Sequence, residues 1–229
     1  MIRQYLVALL LLVSAPLVGC SVNQSGRWTF WPLAKVSDRV PGITPPPERM
    51  RAIRQLGQQA ARQDPIEQNR LAGQLAEMYA QERDPLIRGQ IIQSAGYLAG
   101  PNTLALLRNG LKDADADVRV LACQSLGRLG GPEAAAALAE ALGSDTDPDV
   151  RLAAVKALGE TGEPSAIQAL GMALNERDPA MQYQAVAALR QIAPVDYGYD
   201  VPRWRNYVRG EPVPPEPPFS LVERIRQRL

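Results

Sequence analysis

Apolar and small residues recur at i, i+3, i+4, i+7 and i+8 through the middle of the chain: Val118, Leu121, Ala122, Ser125 and Leu126, then Val150, Ala153, Ala154, Ala157 and Leu158. That spacing lays one buried stripe along a helix. A second kind of stripe alternates with it, carried by Leu104, Leu107 and Leu111, then Ala135, Leu138 and Leu142, then Ile167, Leu170 and Leu174. The alternation predicts helical hairpins. Their columns keep step: Arg88, Arg119 and Arg151 stand 119 − 88 = 31 and 151 − 119 = 32 residues apart, and so do Gly96, Gly127 and Gly159, and Pro101, Pro132 and Pro164. A unit near 31 residues cannot bury its own apolar faces, and stacking successive copies can. The predicted fold class is all-α, an α-solenoid of helical hairpins.

Punctuation supports this division. Asp84-Pro85, Asp147-Pro148 and Asp178-Pro179, with Asp115-Ala116 in the same place, read as an N-cap followed by a first helical residue. Gly96, Gly127 and Gly159 are expected inside helices, where glycine costs about 1 kcal/mol against alanine and so implies a close neighbour. Gly100, Gly130 and Gly162 are expected to end those helices, and the following prolines to start the next. A less regular pair precedes the repeats, with Ile53, Leu56 and Ala60 on a helix over 48–62 and Leu71, Leu75 and Met78 on a helix opened by Asp64-Pro65. In the last unit Gln182 replaces the column arginine and Arg190 the column glycine.

The stretches Asp147-Pro148-Asp149-Val150-Arg151, Ala157-Leu158-Gly159 and Gly162-Glu163-Pro164, with their copies around Arg119 and Arg88, resemble HEAT repeats of the short class found in phycobilisome lyases. The resemblance is strong over 84–192 and weak over 48–82. It implies that Arg88, Arg119 and Arg151 join a structural ladder with Asp117 and Asp149. A ligand-binding arginine row is the sharper alternative.

The N-terminus has a different character. Arg3 precedes a short apolar run, Tyr5 to Val13, too brief to cross a bilayer, so 1–19 reads as a signal peptide. Leu17-Val18-Gly19-Cys20 resembles the lipobox of bacterial lipoproteins, which implies cleavage before Cys20 and lipidation of its thiol with palmitate-type chains. Ser21 in place of aspartate then implies the periplasmic face of the outer membrane. Residues 20–47 read as a Pro-rich tether. Within it Trp28 and Trp31 either sit at the membrane interface or cap the first repeat. The solenoid is expected over 48–193. A tail over 194–229 follows, with aromatic residues, prolines and a short C-terminal helix begun by Ser220. Trp204, flanked by Arg203 and Arg205, either packs on the last repeat or binds a partner.

Composition narrows the function classes. The 25 basic and 24 acidic residues leave a net charge of +1, which makes no case for nucleic acid. The absence of histidine removes Ser-His-Asp and Cys-His catalysis and histidine metal sites. No phosphate-binding loop or paired-cysteine metal spacing is present. No cofactor, metal or small-molecule substrate is expected. Of the two cysteines, Cys123 follows Leu121 and Ala122 within a helix and reads as a small core residue. The expected function is a non-enzymatic, lipid-anchored scaffold for protein partners. A structural envelope spacer and a lyase-like enzyme subunit are the alternatives.

Overall fold

The computed structural model describes residues 44–215. Among the described residues there are ten helices and no strand. They are α1 Pro46–Ala60, α2 Pro65–Gln81, α3 Pro85–Ala95, α4 Pro101–Gly110, α5 Ala116–Leu129, α6 Pro132–Ser144, α7 Pro148–Thr161, α8 Ala166–Leu174, α9 Pro179–Ile192 and α10 Val201–Arg209. Odd-numbered helices stack on one another in one layer and even-numbered helices in a second. The core lies between the layers. Leu107, Leu138 and Leu170 from the second layer are fully buried, as are Ile92, Cys123, Val155 and Val186 from the first.

The helix starts are written in the sequence. Asp64, Asp84, Asp115, Asp147 and Asp178 each accept a backbone N–H from the first turn that follows, a contact worth about 1 kcal/mol per helix. Proline occupies the first turn of α1 to α4, α6, α7, α9 and α10, where its missing N–H has no partner to lose. Gly130 and Gly162 end α5 and α7 with φ of 69° and 70°, a conformation that favours glycine.

Several boundaries differ from the sequence expectation. α3 stops at Ala95, so Gly96 lies just past the helix and Gly100, at φ 114°, caps α4 instead of ending α3. The reason is competition from α2. Gln68 accepts the N–H of Ala99 and Asn69 accepts that of Asn102, which holds this loop open in place of a last helical turn. Met78 is 39% exposed, because Tyr79 takes the inward position on α2 and reaches toward Asp113. α8 begins at Ala166, two residues after Pro164. The stack also runs past residue 193: α10 packs on α8 and α9 as the second helix of a fifth pair.

One contact recurs between the odd-numbered helices. A Cβ built on Gly57 would lie 2.7 Å from Ser94 Cβ, on Gly96 2.7 Å from Ser125 Cβ, on Gly127 3.0 Å from Ala157 Cβ and on Gly159 2.8 Å from Ala188 Cα. Ser94, Ser125 and Ala157 each stand two positions before the next glycine of the column, so the three middle units offer a small residue to the unit before and a glycine to the unit after. Arg190 occupies the glycine column on α9, the last odd-numbered helix described, where no further described helix presses on it. The helix-propensity cost of Gly57, Gly127 and Gly159, which lie inside helices, is thereby offset by close packing.

Two alanine substitutions therefore carry opposite signs. Gly159→Ala is expected to destabilise the protein by about 1–3 kcal/mol through overpacking. Gly143→Ala, on α6 with only Met172 Cε at 4.0 Å, is expected to stabilise it by up to about 1 kcal/mol. Urea denaturation of the two variants checks both.

Candidate functional site

In the first helices of four units an arginine stands four residues after the capping position: Arg49, Arg88, Arg119 and Arg151. Each reaches an acid in the loop that opens the next unit. Arg49 pairs with Glu82. Arg88 grips Asp113 through Nε at 2.8 Å and Nη2 at 2.7 Å, and Arg119 grips Asp145 through the same atoms at 2.7 and 3.1 Å. Arg151 meets Glu176 through Nη2 alone, at 3.2 Å. The remaining guanidinium nitrogen turns back to its own loop, Arg88 Nη1 donating to Arg83 O at 2.8 Å and Arg119 Nη1 to Asp113 O at 2.9 Å. The acids also accept the backbone N–H of the next capping residue: Glu82 from Asp84, Asp113 from Asp115 and Asp145 from Asp147, each at 2.9 Å. One bridge thus fixes a loop, a cap and the start of the following helix.

The acids differ from those expected. Asp117 and Asp149 are exposed in the first turns of α5 and α7, where they complement the helix dipole and no arginine reaches them. Helical side chains lean toward the N-terminus, so the arginines point at the preceding loop and across to the next one. The signal was present in the sequence. Glu82, Asp113, Asp145 and Glu176 each stand two residues before a capping aspartate in four consecutive units, whereas Asp117 and Asp149 recur in only two. Arg49 was missed because its unit is capped by Pro45 and has no Asp-Pro pair to align.

Asp113 is the most enclosed of these acids. It accepts from Arg88, from the Tyr79 hydroxyl and from the Asp115 N–H. Burial alone would raise its carboxyl, but these donors outweigh it and bring the group down to about 2. Asp145 is held below the ordinary carboxylate range in the same way, burial being outweighed by Arg119 and backbone donors. Arg88 and Arg119 therefore spend their donors inside the ladder. Arg151 Nε is buried without a hydrogen-bond partner.

The tail residues fall on α10. Trp204 is fully buried, donates from Nε1 to Gly198 O at 2.9 Å and meets Tyr197 and Tyr207 edge-on. It is a core residue of the fifth pair, not an exposed binding residue, because the longer loop before α10 brings indole area where earlier units place leucine. Arg203 lies 4.6 Å over the Tyr197 ring, and Arg205 Nε donates to Leu174 O at 3.0 Å, satisfying a carbonyl at the C-terminus of α8. Beside Arg205 a groove of about 200 Å³ opens between α8 and α10, lined by Gln168, Met172, Asn175 and Val208. Met172 on its rim is 50% exposed. On an exposed face of α9, Tyr183 and Tyr199 stack with ring centroids 5.0 Å apart, Arg190 lies over Tyr199, and Arg190 pairs with Asp196.

Cys123 is fully buried, and burial pushes its thiol up to about 12, a structural thiol with little nucleophilic character. Among the described residues no three His, Cys, Asp or Glu side chains converge as a metal-binding group, and no helix is long and apolar enough to cross a membrane. Cys20, Trp28, Trp31 and the C-terminal segment from Ser220 lie outside the described residues.

Because Asp113 is depressed in the folded state, its stabilisation is complete above its ordinary value near 4 and is lost as the pH falls toward 2, with about 2 kcal/mol at stake. Asp113→Asn is expected to cost about 2 kcal/mol in urea denaturation at pH 7. The gap from the parent protein is expected to narrow steadily below pH 4.

No curated protein sequence matches this chain. Among solved structures, human deoxyhypusine hydroxylase in complex with glycerol is similar, with 27% identity and a TM-score of 0.49 over 53% of this chain and 43% of that one. The chain thus spans less than half the length of that relative. The family comparison is broader: residues 71–151 and 142–197 match HEAT repeats, together more than half of the 229 residues. With the period, the paired helices and the inter-unit bridges already seen, the chain belongs to the HEAT-repeat family.

Proposed function

We propose that this HEAT-repeat protein is a non-enzymatic scaffold that holds protein partners at a bacterial cell envelope, anchored through acylated Cys20 at the periplasmic face of the outer membrane. The observation that carries the partner-binding part is the α8–α10 groove. Its rim of Gln168, Met172 and Asn175 belongs to neither the core nor the arginine ladder, and an exposed methionine beside amide side chains suits an adaptable protein contact. Stacked hairpins supply the extended surface such contacts use. The anchoring part is supported by the Leu17-Val18-Gly19-Cys20 stretch behind its apolar run. The non-enzymatic part is supported by a sequence without histidine and without a phosphate-binding loop.

Removing the tail does not isolate the groove, because a chain ended at Pro194 loses Trp204 and bares the core beneath α10. Met172→Glu places a charge on the rim without touching the core. Affinity capture from solubilised membranes is expected to recover a partner with the parent chain and at least about tenfold less of it with Met172→Glu. Equal recovery would remove the groove from the account. Cys20→Ala is expected to move the chain from the detergent phase to the aqueous phase on phase separation, and unchanged partitioning would remove the anchor.

A further inference from the structure

The two ends of the stack differ in charge. At the first end, among the described helices, α1 packs on α2 and α3 alone, with Gly57 and Ile53 turned inward. Its other side shows Arg51, Ala52, Gln55, Gln58 and Gln59, and the turn that follows shows Arg62, all exposed. Residues 46–62 hold four arginines and one acid, Glu48, a net of 4 − 1 = +3. Arg49 is engaged by Glu82 and Arg54 by Gln90, whereas the side chains of Arg51 and Arg62 make no ion pair or hydrogen bond among the described residues. At the far end exposed Arg190 is paired with Asp196 and lies against Tyr199, and exposed Arg209 is paired with Glu211. Apart from Ala52, that exposed face of α1 is polar. α1 is the first described helix after the stretch that holds Cys20.

We propose that the outward face of α1 docks on an anionic lipid surface and stands the stack end-on against the membrane. Arginines near such a surface each contribute about fivefold to partitioning, an effect that decays within a Debye length. Two or three of them are too weak to recruit a protein alone. Beside a lipid anchor they orient one already recruited, since the second contact becomes intramolecular. End-on placement turns the α8–α10 groove away from the bilayer, toward a partner. The orienting role rests on the proposed acylation of Cys20, but the affinity of the face for lipid does not.

The test separates the two. The full chain carrying Cys20→Ser, purified without acylation, is sedimented with phosphatidylcholine vesicles and with vesicles containing phosphatidylglycerol at low salt. The ratio of binding between the two is the readout, so apolar binding common to both cancels. A clear preference for the anionic vesicles, erased by salt, is expected. Arg51→Glu with Arg62→Glu is expected to reduce that preference by about tenfold or more, with helicity by circular dichroism unchanged. The sequence places three further arginines near the C-terminus, and Arg224→Gln, Arg226→Gln and Arg228→Gln together are expected to leave most of the preference. No preference for anionic vesicles, an unaffected Arg51/Arg62 variant, or loss confined to the 224–228 variant would overturn the proposal. A chain that prefers anionic vesicles but carries no lipid in its native host would overturn the anchor and leave this face standing.

Discussion

A stack of short helices depends on each unit telling the next where to begin, and here that instruction is a bridge from arginine to acid. Arg88 and Arg119 lie on the first helices of their units, and Asp113 and Asp145 lie in loops that follow the second. Each acid simultaneously receives the N–H of the aspartate that caps the following helix. A charge pair of this sort is not free stabilisation, since removing it from water has a cost. These acids meet that cost with backbone and bidentate donors. The glycine seats complete the coupling: a bridge sets the start of a helix, and Gly96 or Gly127 sets how near it lies to the helix before it.

The repeat itself was legible because its cause is local. Capping aspartates, first-turn prolines and a 3.6-residue apolar period each act within one helix, and all of them repeat. The bridge partners were less legible because they join residues 25 or 26 apart across a loop. Asp117 and Asp149 sit nearer to the column arginines in sequence but face outward. α10 escaped the pattern for a different reason. Its core position is filled by Trp204 after a longer loop, so neither the spacing nor the residue type matches the leucine columns that precede it. Nothing in composition alone distinguishes that indole from an exposed one. Its burial follows from the position of α10 beside α8.

The functional reading changes accordingly. The features that repeat are consumed by construction: arginines by acids, glycines by small residues, leucines by the core. What construction leaves over is local and unrepeated. Among the described residues it includes the Met172 groove between α8 and α10, the stacked Tyr183 and Tyr199 at one end, and Arg51 of α1 with Arg62 just after it at the other. A solenoid whose individuality lies in its ends and one groove suits a tethered scaffold better than a repetitive binding surface.

The claim on which the rest stands is that the arginine of one unit is coupled to the acid opening the next, and a double-mutant cycle measures that directly. Arg119→Ala is combined with Asp145→Ala and, separately, with Asp149→Ala, and unfolding free energies are measured at neutral pH. A coupling of at least about 1 kcal/mol between Arg119 and Asp145, with additivity within about 0.3 kcal/mol between Arg119 and Asp149, is the result this account predicts. Additivity with Asp145, or a larger coupling with Asp149, would contradict it.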